Sequence, residues 1–266
     1  MPDVTDRPLA VITGASAGLG TCYAERLAAR GYDLLLVARD GARLEALGAR
    51  LAAAHGVRAE AWPADLARAD DLERLADALA ARPRVDVLVN NAGFGTTGRL
   101  WEAAAGSQEA MLAVHVVAPM RLTRAVLGGM VARGRGAVVN VSSVASFLYS
   151  PTNANYCATK AYLRVFSEGA ALELAGSGVR MQALCPGFFR SEFHGRMALD
   201  TSGVPGFLWM TAEAVCDASL AALDRGGPVV VVPGAIYRFI VLLAKLLPRT
   251  WIGRPSRIHE RRPRAR

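Results

Sequence analysis

Short runs of consecutive apolar residues alternate along the chain with longer, alanine-rich segments in which apolar positions recur every three to four residues. Runs such as Leu-Leu-Leu-Val and Val-Val-Val-Val have no polar alternation, which is typical of strands buried on both faces of a parallel sheet. The runs predict strands at residues 9–13, 33–38, 58–63, 85–90, 137–142, 179–185 and 228–232. The segments between them predict helices at residues 19–30, 42–54, 69–81, 107–132, 155–175 and 212–224.

This alternation predicts the α/β class, with a doubly wound parallel sheet covered by helices on both faces. A chain of 266 residues fits one large domain, and no linker-like segment divides it. We therefore assign residues 1–233 to one domain. Within this domain, residues 187–210 are too irregular for a regular element and predict a substrate lid. Residues 234–266 predict an apolar helix followed by a basic tail rich in arginine and proline.

Composition and charge narrow the class of protein. Hydrophobic residues make up 52% of the chain and charged residues 20%, which excludes a largely disordered protein. The net charge of +8 lies mainly in residues 249–266, where seven arginines face only Glu260, so the rest of the chain carries only +2. We therefore expect no nucleic-acid partner. Four scattered cysteines predict neither a metal site nor a disulfide scaffold, and they indicate a reducing, cytoplasmic location.

A glycine-rich turn follows the first predicted strand and opens the first predicted helix. Gly14, Gly18 and Gly20 allow a tight turn and a close approach of backbone N–H groups to an anion. Ser16 and Leu19 lie in the same turn. The position predicts a site for a dinucleotide phosphate, and a plain strand–helix turn is the alternative.

Arg39 closes the second predicted strand, where an acidic residue would favour an unphosphorylated ribose. An arginine offers a permanent charge and a fork of donors, which suits a 2′-phosphate. The sequence therefore favours NADP over NAD, with a solvated arginine as the alternative.

Two further strand ends carry candidate cofactor contacts. Asp65-Leu66 follows the third predicted strand, where the carboxylate either approaches an adenine amino group or caps the next helix. Asn91, Ala92 and Gly93 close the fourth, where small residues permit a flat ligand and a strand-end turn is the alternative.

Tyr156 and Lys160 lie four residues apart at the start of a predicted helix, so both project from one helix face. A neighbouring ammonium stabilises a phenolate and lowers the pKa of the phenol. Ser143 ends the fifth predicted strand, at the edge where parallel sheets bind ligands. We expect Ser143 to hydrogen-bond a substrate oxygen and Tyr156 to exchange a proton with it. A strand-end serine that caps a turn, and a tyrosine–lysine pair on a helix surface, are the alternatives.

Gly14-xxx-Gly18-x-Gly20, Asn90–Gly93, Ser143, Tyr156-xxx-Lys160 and Pro186-Gly187 resemble, in order and spacing, the motifs of short-chain dehydrogenases/reductases over about residues 7–232. The resemblance implies a seven-stranded Rossmann-type sheet, a nicotinamide cofactor, and hydride exchange with an alcohol or carbonyl carbon. It implies that Tyr156 is the general acid/base, that Lys160 lowers the pKa of Tyr156 and binds ribose, and that Ser143 orients the substrate. It places Pro186-Gly187 beside the nicotinamide, and Ser16, Leu19, Asp65, Asn91 and Ala92 along the cofactor. The family is commonly dimeric or tetrameric.

His115 is a departure from that pattern, since the family usually has an asparagine there that completes a water relay to the lysine. An imidazole is able to relay protons, and a packed, hydrogen-bonded core histidine is the alternative.

Aromatic and apolar residues are frequent around the predicted site and lid, which predicts an apolar pocket for a lipophilic alcohol, ketone or aldehyde. They are Phe94, Phe147, Leu148, Tyr149, Phe188, Phe189, Phe193, Phe207, Leu208 and Trp209. Arg190 and Arg196 in the lid either meet an anionic substrate end or are solvated.

The apolar segment at 235–248 precedes the arginine-rich tail and is too short to span a bilayer. It either lies on an anionic membrane surface or is buried against the body or a sister subunit. Two functions compete with the oxidoreductase: a catalytically weak NADP-binding regulator and a membrane-surface interaction protein on the same fold.

Overall fold

Residues 7–96, 98–149, 151–190 and 203–246 are described by a computed structural model. Seven parallel strands form one sheet in the order β3-β2-β1-β4-β5-β6-β7. The strands are β1 (Leu9–Thr13), β2 (Asp33–Ala38), β3 (Ala59–Pro63), β4 (Val87–Asn90), β5 (Gly136–Val141), β6 (Val179–Leu184) and β7 (Val230–Val231). This confirms the predicted α/β fold with a doubly wound parallel sheet.

The helices follow the strands in the predicted order. They are α1 (Gly18–Ala29), α2 (Gly41–His55), α3 (Ala69–Ala81), α4 (Ala105–Leu112), α5 (Ala118–Ala132), α6 (Ala154–Glu173), α7 (Ala212–Asp224) and α8 (Ala235–Leu246). Short 3₁₀ turns cover Val144–Phe147 and Gly206–Leu208. Asp40 caps α2 by accepting the Arg43 N–H, and Thr211 caps α7 by accepting the Ala214 N–H.

The sheet divides the buried apolar residues into two layers. Side chains of one strand face pack against α1, α2 and α7, whereas those of the other face pack against α3, α5 and α6. Four central strands are buried along most of their length, as their uninterrupted apolar sequences predict. The strand order reverses between β1 and β4, which places a crevice outside the carboxyl ends of these strands.

The helix predicted at 107–132 differs from a regular α-helix. A π-helical turn at Ala113–Val117 separates α4 from α5 and carries His115 into the interior. Within the described residues, Ala105–Ala132 is the segment long and apolar enough to cross a bilayer by composition. Leu122, Val126 and Met130 are nevertheless buried against the sheet, as in a core helix.

Candidate active site

The loops after β1 and β4 are held together by Thr13 and Asn91. The Thr13 hydroxyl accepts the backbone N–H groups of Asn91 at 2.9 Å and Ala92 at 3.0 Å. In return, the Asn91 side-chain amide donates to the carbonyl oxygens of Thr13 at 2.9 Å and Gly14 at 3.2 Å. The sequence analysis missed Thr13, although a hydroxyl at the end of a buried strand was a signal. This network fixes both walls of the crevice at the strand-order reversal.

Glycine is required at two positions of the first turn. A Cβ on Gly20 would lie 2.2 Å from the Gly14 carbonyl oxygen, and one on Gly14 would lie 2.9 Å from the Ala92 Cα. Gly14 also has a φ of +66°, which side-chain-bearing residues rarely adopt. The glycines therefore allow the turn, α1 and the β4 loop to approach each other.

The N-terminus of α1 has neither a capping side chain nor a carboxylate of its own. Ala17 precedes the helix and provides no side-chain cap, and the first turn contains no acidic residue. The free N–H groups of such a turn favour a bound phosphate. Leu19 packs into the core beneath the turn, so any contact with a ligand would come from its backbone.

Arg39 lies exposed at the end of β2, next to the glycine turn in the sheet order. Among the residues that the structure describes, no carboxylate forms an ion pair with Arg39. The neighbouring Asp40 instead caps α2 and lies 3.4 Å from the Arg43 guanidinium. An unpaired guanidinium beside an uncapped helix fits a dinucleotide that carries an additional phosphate.

Asp65 and Leu66 shape the turn after β3. The Asp65 carboxylate accepts the Ala67 N–H at 3.0 Å, and the Asp65 N–H donates to Asp71 at 2.8 Å. Leu66 is buried against the layer of α3, α5 and α6. The Asp65 carboxylate therefore closes this turn and does not cap α3, which begins at Ala69 after Arg68 without a side-chain cap. Its contact with an adenine stays a prediction.

Ser143, Tyr156 and Lys160 converge at the carboxyl end of β5. Ser143 follows the strand and hydrogen-bonds the Tyr156 side chain. The Lys160 ammonium lies 5.7 Å from the centre of the Tyr156 ring and donates to the Val141 carbonyl oxygen at 2.8 Å. Lys160 is buried one turn behind Tyr156 in α6. The predicted arrangement of phenol, cation and hydroxyl is thus present in the molecule.

Burial is the largest cause of the pKa shifts of Tyr156 and Lys160. Desolvation raises the pKa of Tyr156 to about 12, although the Ser143 hydrogen bond acts in the lowering direction. Desolvation lowers the pKa of Lys160 to about 8. Burial is thus the largest cause of the shift at Tyr156, and the lowering of its pKa by Lys160 that the resemblance implies stays a prediction.

His115 is fully buried and connects the β4 loop to α6. Its Nε2 accepts the Phe94 N–H at 3.0 Å, which places the ring proton on Nδ1, 3.1 Å from the Thr159 hydroxyl. The Thr159 hydroxyl in turn donates to the Tyr156 carbonyl oxygen at 2.9 Å. Burial and the nearby charge of Lys160 keep the pKa of His115 well below its usual range. The packed, hydrogen-bonded alternative for His115 is therefore observed. Gly93 lies against the same ring, since a Cβ at this position would be 2.9 Å from the His115 Nε2.

Pro186 and Gly187 lie beside Ser143. The Pro186 carbonyl oxygen accepts the Val144 N–H at 3.0 Å, and the Ser143 hydroxyl lies 3.5 Å from the same oxygen. A Cβ on Gly187 would lie 1.9 Å from the Tyr237 ring, so that only glycine allows α8 to pack here.

Tyr237 of α8 joins the segment that follows β6 to the segment that precedes α7. Its hydroxyl accepts the Phe188 N–H at 2.9 Å and donates to the Leu208 carbonyl oxygen at 2.5 Å. Phe188 and Met210 also pair through their backbones. The sequence analysis missed this residue, although a lone phenol in an apolar helix signals a buried hydrogen bond.

The predicted aromatic cluster is not one continuous surface. Phe188 and Trp209 pack with ring centres 5.6 Å apart. The Phe147 ring instead lies beneath the cations of Arg164 and Lys245, at 4.7 and 5.3 Å. Phe193 and Arg196 lie outside the described residues.

The chain matches the family model of the short chain dehydrogenases over residues 8–201. A short-chain dehydrogenase from Sphingobium yanoikuyae, solved in complex with NADPH, is 37% identical; the match has a TM-score of 0.82 and covers 96% of this chain and 100% of that one. The bulky-bulky ketone specific alcohol dehydrogenase from Comamonas testosteroni is 33% identical; that match has a TM-score of 0.79 and covers 91% of this chain and 93% of that one.

A curated relative extends the match through most of the chain. Gluconate 5-dehydrogenase from Gluconobacter oxydans is 31% identical over 245 residues, which are 85% of this chain and 93% of that protein. The family model, the relative and the solved structures agree with the fold described above. This chain belongs to the short-chain dehydrogenase/reductase family of oxidoreductases.

Proposed function

We propose that this protein transfers a hydride between NADP(H) and the alcohol or carbonyl carbon of a bulky, lipophilic substrate. The observation that carries the proposal is the position of Tyr156. Its side chain is hydrogen-bonded to Ser143, and its ring centre lies 5.7 Å from the Lys160 ammonium. These groups lie at the same sheet edge as the glycine turn.

Cofactor binding is assigned to this chain's own residues as follows. The N–H groups around Gly14, Ser16, Gly18, Leu19 and Gly20 hold the pyrophosphate, and Arg39 holds the 2′-phosphate. Asp65, Leu66, Asn91, Ala92 and Gly93 line the adenosine and the adjacent ribose, and Pro186 and Gly187 line the nicotinamide. The structure of the Sphingobium relative with NADPH supports this choice of cofactor.

NADPH, when bound, supplies the hydride for carbonyl reduction. The Ser143 hydroxyl donates a hydrogen bond to the carbonyl oxygen and holds it beside Tyr156. As negative charge develops on that oxygen, the Tyr156 O–H transfers its proton to it and completes the alcohol. The Lys160 ammonium, which also binds the ribose, stabilises the phenolate that remains. Alcohol oxidation follows the same path in reverse.

A lipophilic substrate is supported by the Phe188–Trp209 pair on the substrate side. The specificity of the Comamonas relative for bulky-bulky ketones supports it independently. We also propose a cytoplasmic homodimer or homotetramer, with exposed apolar residues of α6 such as Tyr162 and Val165 at the contact.

The test is NADPH oxidation by the purified protein against a panel of bulky aryl ketones, small ketones, aldehydes and sugars. We expect turnover with the bulky ketones and little with the sugars. NADPH binding without turnover of any carbonyl compound would contradict the enzymatic proposal and favour the NADP-binding regulator.

A further inference from the structure

α8 leaves one apolar face uncovered in the described part of the chain. Phe239 is 59% exposed and Leu246 is 72% exposed, and Ile236, Leu242 and Leu243 are exposed beside them. At 100° per residue, these five side chains occupy one arc of about 120°. The sequence analysis did not separate the two faces of this segment.

The opposite face of α8 is already used by the body of the protein. Tyr237 and Val241 are buried, and the Tyr237 hydroxyl is bonded to the Phe188 and Leu208 backbones. α8 is therefore fixed in orientation, and its apolar arc points away from the core.

Positive charge lies along one border of this arc and follows it in sequence. Arg238 and Lys245 lie together on one border of the arc, by the same 100° count. Residues 247–266 follow directly and contain seven arginines and one acidic residue, Glu260. The segment also contains Trp251, an aromatic type enriched at membrane–water interfaces.

We propose that α8 and the basic residues after it dock this protein flat onto the surface of an anionic lipid bilayer. The apolar arc enters the headgroup boundary while the arginines contact lipid phosphates. α8 has 12 residues and a length of about 18 Å, against about 30 Å of hydrocarbon, so it lies in the plane of the membrane.

Charge also favours a bilayer over a second copy of this chain. A two-fold contact through the same face would bring two α8 helices together, each flanked by Arg238 and Lys245 and followed by an arginine-rich tail. Like charges would then repel across the contact, whereas phosphatidylglycerol headgroups neutralise them. The proposal does not depend on the enzymatic activity.

Co-sedimentation of the full-length protein with lipid vesicles tests this proposal. We expect binding to phosphatidylglycerol vesicles, release at high salt, and little binding to pure phosphatidylcholine vesicles. The Phe239→Glu variant should weaken binding at least ~10-fold, since it places a charge in the apolar arc. Val131→Glu on α5, where the side chain is 44% exposed, is the matched control and should bind like the wild type.

A second full-length variant isolates the electrostatic contribution. Replacing Arg261, Arg262, Arg264 and Arg266 with glutamine should weaken binding to phosphatidylglycerol by ~5-fold or more per arginine in contact. Equal binding to both vesicle types would overturn the proposal. Absent binding to phosphatidylglycerol vesicles would also overturn it. Light scattering that then shows a smaller oligomer for Phe239→Glu would mean that α8 contacts a second copy.

Discussion

The proposed nucleotide side and the proposed substrate side of this protein are built in different ways. On the nucleotide side, Thr13 and Asn91 form two hydrogen bonds with each other. Asn91 also donates to the Gly14 carbonyl oxygen, and Ala92 donates to the Thr13 hydroxyl, so four bonds join the loops of two adjacent strands. On the substrate side, one hydroxyl from α8, that of Tyr237, holds Phe188 and Leu208. Reciprocal short-range hydrogen bonds thus join the loops after β1 and β4, whereas a single distant residue joins the segments at Phe188 and Leu208.

Tyr156 lies where the two sides meet, and Tyr156→Phe should have the largest effect. Removing the proton donor should lower kcat by about 10²–10⁴-fold, the usual contribution of general acid catalysis. NADPH binding, followed by fluorescence titration, should be unchanged. Tyr162→Phe, an exposed tyrosine of the same helix, is the control. A variant that retains full activity would remove Tyr156 from the mechanism.

Arg39→Ala should affect the nucleotide side alone. Loss of a charge-assisted hydrogen bond to the 2′-phosphate should raise the KM for NADPH about 10–100-fold and leave the KM for NADH unchanged. Arg43→Ala is the control, because the Arg43 guanidinium already lies beside Asp40. An unchanged preference between the two cofactors would show that Arg39 is only solvated.

Tyr237→Phe should affect the substrate side alone. It leaves the Phe188 N–H and the Leu208 carbonyl without their partner, which should lower the free energy of unfolding by about 1–3 kcal/mol. We expect a higher KM for the carbonyl substrate and an unchanged dissociation constant for NADPH.

The control for this variant is Tyr23→Phe, which removes another buried hydroxyl that donates to Ser219 at 2.5 Å. It should cost similar stability without changing the KM of the substrate. Equal changes of KM in both variants would mean that stability, and not the position of Phe188, explains the effect.

The pH dependence of carbonyl reduction should give the smallest difference between variants. With the pKa of Lys160 lowered to about 8, its ammonium is present at neutral pH, and the rate should fall as pH rises through about 8. His115 is neutral throughout that range, so His115→Asn should leave this limb in place. A shifted or missing limb in stopped-flow pH profiles of the variant would assign His115 to a proton relay.

The positions of the strands and of the Tyr156–Lys160 pair could be predicted from the sequence. The apolar runs of β1 and β2 coincide with the observed bounds, because a strand buried on both faces leaves no polar positions to obscure the pattern. β7 is shorter than its run, since only Val230 and Val231 pair with β6. The glycine turn and Tyr156-xxx-Lys160 were predictable because their spacing within one turn or helix fixes their geometry.

The sequence by itself determined which side chains reach the carboxyl edge of the sheet, since order and period suffice for that. Only the tertiary structure decided what those side chains do to one another. Desolvation by the surrounding chain sets the pKa values of Tyr156 and Lys160, and the π-helical turn directs His115 to Phe94. The Tyr237 hydroxyl accepts the N–H of Phe188, which lies 49 residues away in the sequence. Burial and long-range contact depend on how distant segments pack, and no local pattern encodes them.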